Sequence, residues 1–187
     1  MLLLIMNTME SSSIEVVASS GIFQIEFFHE TGAADYNRLI EISNSLEKDF
    51  GKKFVLSHKT IEKYFNHSGS LPYVARYRNE IIGYIIGIPL EYLDREPWTR
   101  IEKNFGRHNT IYTYAFVVLE EFRKNGYARM LKKVYLSKLE KLNNILYNSG
   151  HVKKGIASKF KGKIEVINHI DNWQGTGKTF EYYRREL

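Results

Sequence analysis

Tyr114-Ala-Phe-Val-Val-Leu-Glu-Glu-Phe-Arg-Lys-Asn-Gly-Tyr-Ala-Arg-Met-Leu131 changes its periodicity halfway along, and that change decides the fold. Residues 111–119 are β-branched and aromatic, the strongest strand signal in the chain. After a short loop, Tyr127, Leu131, Tyr135, Leu139 and Leu142 recur at helical spacing, which predicts a helix over 126–142 with one apolar face laid on a sheet. Lys132, Lys133, Glu140 and Lys141 lie mostly off that stripe. Gly126 permits a positive φ and leaves room for something to approach the backbone closely. The first N–H groups of a helix have no intrahelical partners, and the dipole there favours anions. With Arg123, Lys124 and Arg129 adding charge, residues 123–129 (Arg123, Lys124, Asn125, Gly126, Tyr127, Ala128, Arg129) predict a pyrophosphate cradle built mainly from backbone.

Outward from this stretch the pattern stays regular. Residues 22–28 read as a strand. Tyr36, Leu39, Ile40, Ser43, Leu46 and Phe50 give a helix of about four turns, and Ser57 is an N-cap for a short helix reaching Phe65. Residues 71–78 and 81–90 are strand-like runs split by Asn79-Glu80, a hairpin signal. A polar connection, 91–109, carries Trp98. Strand-like runs follow at 145–152, 163–170 and 179–185, with a short segment at 155–161. Antiparallel hairpins plus one strand-helix-strand crossover predict an α/β fold in the α+β sense, a central mixed, mostly antiparallel sheet with helices on both faces.

Composition sets outer bounds. The 187 residues suffice for one domain with a real core, and 43% hydrophobic with 26% charged is ordinary globular composition. The absence of cysteine excludes disulfides, thiolate metal sites and a cysteine nucleophile, and fits a reducing interior. Met1-Leu-Leu-Leu-Ile-Met6 is too short for a signal h-region or a bilayer span. Residues 1–20, with serines at 11–13 and 19–20, are therefore expected to be a loosely held leader to a single domain, 21–187, and the protein to be cytoplasmic with no membrane partner. The formal charge of +6 attracts polyanions without choosing among nucleic acid, a lipid surface and a phosphate-bearing coenzyme.

The stretch Arg123-x-x-Gly126-x-Ala128 resembles the Arg/Gln-x-x-Gly-x-Gly/Ala signature of the GNAT superfamily of N-acetyltransferases. The approach Phe116-Val-Val118-x-Glu-Glu-Phe-Arg123 is similar to that superfamily's Leu-Ala-Val-x-Pro-Glu-Tyr-Arg, with Glu120 where proline is usual. The likeness extends over roughly residues 71–187. It implies that the strand holding Phe116, Val117 and Val118 diverges from the strand at 145–152, and that the pantetheine of acetyl-CoA pairs with Phe116, Val117 and Val118 in the gap. A backbone N–H there would stabilise the oxyanion, and an amine would attack directly in a ternary complex. Acetyl-CoA is thus the implied co-substrate, and a small-molecule or protein amine the acceptor.

Many superfamily members place a tyrosine after the fifth strand to protonate the departing thiolate. The matching position here is Phe160 or Lys161, so the usual acid is absent. His151, at the end of the strand facing the gap, is a candidate proton relay near neutral pH, against the blander reading of a strand-end histidine. Tyr112 and Tyr114 are expected to share a strand face with Phe116. Tyr114 is the candidate to hold a base-bound water, against simple packing. Trp98 and Trp173 are candidate lips of the acceptor site. The remaining histidines (His29, His58, His67, His108, His169) form no ligand pair, so no metal is expected.

Rival readings differ in what they require of the sequence. Gly175-Thr-Gly-Lys-Thr179 lacks the glycine a P-loop needs, since Asn172 stands there, and it precedes a strand rather than a helix. A basic nucleic-acid-binding module would expose its aromatics, whereas these keep strand or helix period. A non-catalytic acyl-CoA sensor accommodates the missing tyrosine. No Gly-x-Ser-x-Gly hydrolase elbow occurs. The aromatic-rich C-terminal strands leave a homodimer open.

Overall fold

The computed structural model describes residues 9–187. A first hairpin joins β1 (Ser13–Ser20) to β2 (Phe23–Glu30). Two helices, α1 (Ala33–Asn44) and α2 (Glu47–Phe50), follow, then α3 (His58–Tyr64). The second hairpin is β3 (Leu71–Tyr77) and β4 (Glu80–Pro89). Next come β5 (Thr110–Val118), α4 (Tyr127–Leu139) and β6 (Tyr147–Lys153), and the chain closes with β7 (Ile164–Ile170) and β8 (Phe180–Glu186). All eight strands form one sheet in the order β1-β2-β3-β4-β5-β6-β8-β7. Every pairing is antiparallel except β5 with β6, whose connection is the α4 crossover.

Two elements depart from expectation. Residues 13–20, expected in a loose leader, form edge strand β1; residues 1–8 of that expected leader lie outside the described residues. Ser20 pairs with Phe23 across a two-residue loop, and Gly21 takes φ 58° at the first loop position, where a type II′ hairpin needs it. Most β1 side chains stay exposed, so no alternating apolar pattern announces the strand. The expected four-turn helix after β2 is broken into α1 and α2. The hydroxyls of Ser43 and Ser45 donate to Ile40 O (2.6 Å) and Ile42 O (2.7 Å), and Ser43 Oγ accepts from Leu56 N at 2.8 Å. Carbonyls and hydroxyl committed this way bend the helix out of line. The N-cap at Ser57 is as expected, with Thr60 completing a reciprocal box.

The core has two layers. On one face, α1 and α3 bury Leu39, Ile42, Ile61 and Tyr64 against Val74, Tyr84 and Ile86. On the other, α4 buries Leu131, Tyr135 and Leu139 against Ile25, Ala75 and Ile85. The sheet is thus covered on both sides, as the near-continuous apolar run of β4 demanded.

Candidate active site

The site begins at a single extra residue. Ile86 of β4 pairs with Ala115 and the next residue, Gly87, pairs with Thr113, so Tyr114 is a bulge in β5. A bulge bends its strand and increases its twist. The parallel ladder to β6 runs only from Thr110↔Tyr147 to Thr113↔Gly150 and stops at that residue. Beyond it β5 and β6 splay apart, so residues 114–118 keep one backbone edge unpaired, and residues 114–116 line an open cavity of about 780 Å³.

The same bulge overturns the expectation that Tyr112 and Tyr114 share a face with Phe116. Tyr112 and Tyr114 belong to the core layer of α1 and α3, whereas Phe116 belongs to that of α4, because the inserted residue resets the alternation. Tyr114 stacks on Tyr64 with ring centres 4.0 Å apart, and burial raises its pKa well above the ordinary range. It lines the cavity as an apolar wall and does not ionise near neutral pH.

At the end of β5 a 3-10 turn, Glu120–Phe122, leads into the loop before α4. Lys124 and Gly126 both take positive φ, 71° and 83°. The first intrahelical bond is Met130 N to Gly126 O at 2.9 Å, so the N–H groups of Tyr127, Ala128 and Arg129 are free of intrahelical partners. A Cβ built on Gly126 meets nothing within 4 Å, which leaves open space above these donors. Arg123, Lys124 and Asn125 are exposed around it, and a groove of about 620 Å³ joins Arg123 and Ala128 to Phe116, Val117 and Val118. Tyr127 is instead a packing residue, stacked on Phe23 with ring centres 4.4 Å apart.

A second depression, of about 1360 Å³, adjoins the gap and shares Lys132 and Phe160 with it. Arg129, Lys133, Lys159, Lys161 and Arg185 also line it, against one acid, Glu140. This groove was not legible in the sequence, where its residues are scattered over three elements.

His151 lines the gap, but its setting differs from that of a relay. Its Nδ1 pairs with the Tyr112 hydroxyl at 2.8 Å, its Nε2 is buried without a partner among the described residues, and rings of Trp98, Trp173 and Tyr182 surround it. Burial lowers its pKa to about 3, so the ring is neutral at any working pH and its conjugate acid is too strong to persist. Trp173 is 3% exposed and belongs to the core, wedged between Phe54, His151 and Phe180. Trp98 is half-buried on Tyr112 and Tyr182. Both tryptophans border one shallow depression. Phe160, at the place of the missing tyrosine, meets Tyr183 edge to face at 5.1 Å.

Among the described residues no helix is long and apolar enough to cross a membrane. The family model of the acetyltransferase (GNAT) family matches residues 39–158, which span the bulge, the loop and α4. No curated protein matches the chain in sequence. Solved structures share the fold. Spermidine N-acetyltransferase from Vibrio cholerae, in complex with CoA and spermine, superposes with TM-score 0.63 at 12% identity, covering 89% of this chain and 96% of that one. Arabidopsis thaliana NAA60 with a bisubstrate analogue gives 0.62 at 13%, over 82% and 93%. A GNAT acetyltransferase from Elizabethkingia anophelis with acetyl-CoA bound gives 0.54 at 17%, over 90% and 100%. A sheet split at a bulge, a helix whose first N–H groups face open space, and a family match over both make this chain a member of the GNAT family of acetyltransferases.

Proposed function

We propose that the chain transfers the acetyl group of acetyl-CoA to a primary amine by direct attack in a ternary complex. The observation that carries this reading is the conjunction of the unpaired β5 edge at residues 114–118 with the free N–H groups at the start of α4. Acetyl-CoA supplies the activated acyl group as a thioester. Phe116, Val117 and Val118 offer backbone groups to pantetheine as an added strand, and an N–H among them polarises the thioester carbonyl. Arg123, Lys124, Asn125, Gly126, Ala128 and Arg129 hold the pyrophosphate, and Lys159, Lys161 and Arg185 of the basic groove suit the remaining phosphate. Burying the reacting groups between Tyr114, Phe54 and Phe50 excludes water and makes catalysis largely a matter of positioning.

The acceptor is an amine. Among similar structures, one is named for spermidine and another for the alanine of ribosomal protein S18, so small and protein amines are both represented. The depression between Trp98 and Trp173 is where we place its approach.

Calorimetric titration with acetyl-CoA tests this. Gly126→Asp should leave the fold intact, since its Cβ meets open space and the left-handed backbone costs an L-residue only about 1–2 kcal/mol. The added carboxylate occupies the cradle and repels phosphate. Saturable one-to-one binding by the wild type, lost in the variant, is expected. Unchanged affinity in the variant would mean the coenzyme lies elsewhere.

A further inference from the structure

One proton in this reaction has no owner yet. When an amine displaces a thioester sulfur, the carbon–sulfur bond breaks with its electron pair on sulfur, and departure is eased if that sulfur is protonated. Five titratable side chains line the gap: Tyr114, Lys132, Tyr135, His151 and Tyr183. Burial raises the three phenols, Tyr183 to about 12 and the other two further, and lowers His151 to about 3. None of these four exchanges a proton readily near neutral pH.

Lys132 is placed differently. It leaves α4 at the junction of the gap and the basic groove, and its side chain lines both. Its Nζ lies 3.7 Å from the centre of the Phe160 ring, and among the described residues no carboxylate or hydrogen-bond acceptor engages it. Arg185 and Tyr183 face it from β8, and Lys159 and Lys161 from the segment before β7. On its own helix the neighbours are Arg129, Lys133, Tyr135 and a single acid, Glu140. A cation on an aromatic face is held in place without surrendering its protons to a counter-ion.

We propose that Lys132 is the general acid of the transfer, seated on Phe160 at the mouth of the gap and donating a proton to the departing thiolate. The assignment rests on the acetyl-transfer reading of the site. As the amine nitrogen bonds to the carbonyl carbon and gives up one proton to solvent, leaving the acetylated amine, the carbon–sulfur and Nζ–H bonds break and a sulfur–hydrogen bond forms. The products are the free thiol and a neutral lysine amine, which regains a proton from solvent through the groove. Burial first, and Arg185 second, lower the Lys132 pKa to about 8, close to the range of an ordinary thiol, which suits proton transfer in either direction. Only the protonated form acts, so the rate declines as pH rises through about 8.

Three variants and one labelling experiment test the idea. Competitive acetylation with acetic anhydride, followed by peptide mapping against pH, reads the Lys132 titration directly, with a midpoint expected near 8. Lys132→Met should lower kcat about 10²-fold or more and lose the descending limb of the pH profile, with the acetyl-CoA Kd within about 3-fold of wild type. Lys132→Arg keeps the charge but has no exchangeable proton in this range, and should resemble Lys132→Met in kcat. A titration midpoint above 10, or Lys132→Arg retaining wild-type kcat, or Lys132→Met raising Kd at least 10-fold with kcat intact, would instead make Lys132 a phosphate contact and overturn the assignment. Phe160→Leu, which removes the aromatic seat, should lower kcat while leaving acetyl-CoA Kd near the wild-type value, and an unchanged kcat would show that the ring does not position Lys132. If the wild type binds no acetyl-CoA, the acetyl-transfer reading fails first, and that outcome is visible before any Lys132 variant is made.

Discussion

At the scale of single residues, burial decides what the titratable side chains can do. His151 in the unfolded chain takes up a proton near pH 6.5, but in the folded protein it resists protonation until about 3. Its folded pKa is depressed, so the stability it contributes is complete above pH 6.5 and is lost as pH falls toward 3. Unfolding free energy should therefore drop by up to about 1.4 kcal/mol per pH unit in that window from this group. Urea titrations of wild type and His151→Gln at pH 7 and pH 5 would read it. The difference between the two proteins should shrink on the acid side, and a constant difference would show that the imidazole protonates freely. Glu102 is a second case. It is buried, receives Arg184 Nη1 at 2.5 Å and accepts from the Tyr182 hydroxyl at 3.0 Å. Glu102→Ala leaves a guanidinium that is 4% exposed with only the outer carboxylate of Glu165, and should cost about 3 kcal/mol in chemical denaturation.

At the scale of elements, the β5–α4 unit was the most legible part of the chain because both of its periodicities are enforced by burial. Leu131, Tyr135 and Leu139 are all fully buried on the expected stripe. The bulge at Tyr114 was not legible, because one extra residue in a run of β-branched and aromatic residues leaves no compositional mark. Its effect on which side chains share a face followed only from the register. β1 escaped for the opposite reason: an edge strand that buries little has no pattern to read. β4 and β5 also approach unusually closely. A Cβ at Gly83 would lie 2.4 Å from Val117 O and 2.9 Å from Val118 Cα, both backbone atoms that cannot swing aside. Gly83→Ala should therefore destabilise by about 2–3 kcal/mol, seen as a lower denaturation midpoint. Because the strand it displaces is the one assigned to pantetheine, acetyl-CoA affinity should fall with it.

At the scale of the whole molecule, sites arise from elements distant in sequence, and there sequence reading gives out. The cradle was readable because it lies within one loop and one helix turn. The basic groove was not, since Arg129, Lys159 and Arg185 meet only after the sheet is assembled. Lys132 lies off the apolar stripe of α4, and its closeness to Phe160 depends on where β6 delivers the following segment. Trp173 stands in a glycine-rich turn that folds inward over Phe180. Its counterpart clasp is outside: Asp49 on α2 bonds both Lys153 and Lys178 at 2.7 Å, tying the helical layer to the C-terminal strands. Those two ammonium groups lower Asp49 to about 2, so the clasp persists across the neutral range and loosens only as pH falls toward that value.

The short ladder between β5 and β6 has a mechanical side. The sheet is two leaves, five strands and three, fastened along a seam from Thr110 to Thr113 on one leaf and from Tyr147 to Gly150 on the other. Elsewhere neighbouring strands are laced along most of their length, so shear between the leaves concentrates at that seam. Anything that lies in the splayed part and pairs with both leaves lengthens the fastening where it is shortest. The opening that admits an occupant is also the stretch where the two leaves share no hydrogen-bonded pairs, so an occupant paired with both adds fastening where there is none.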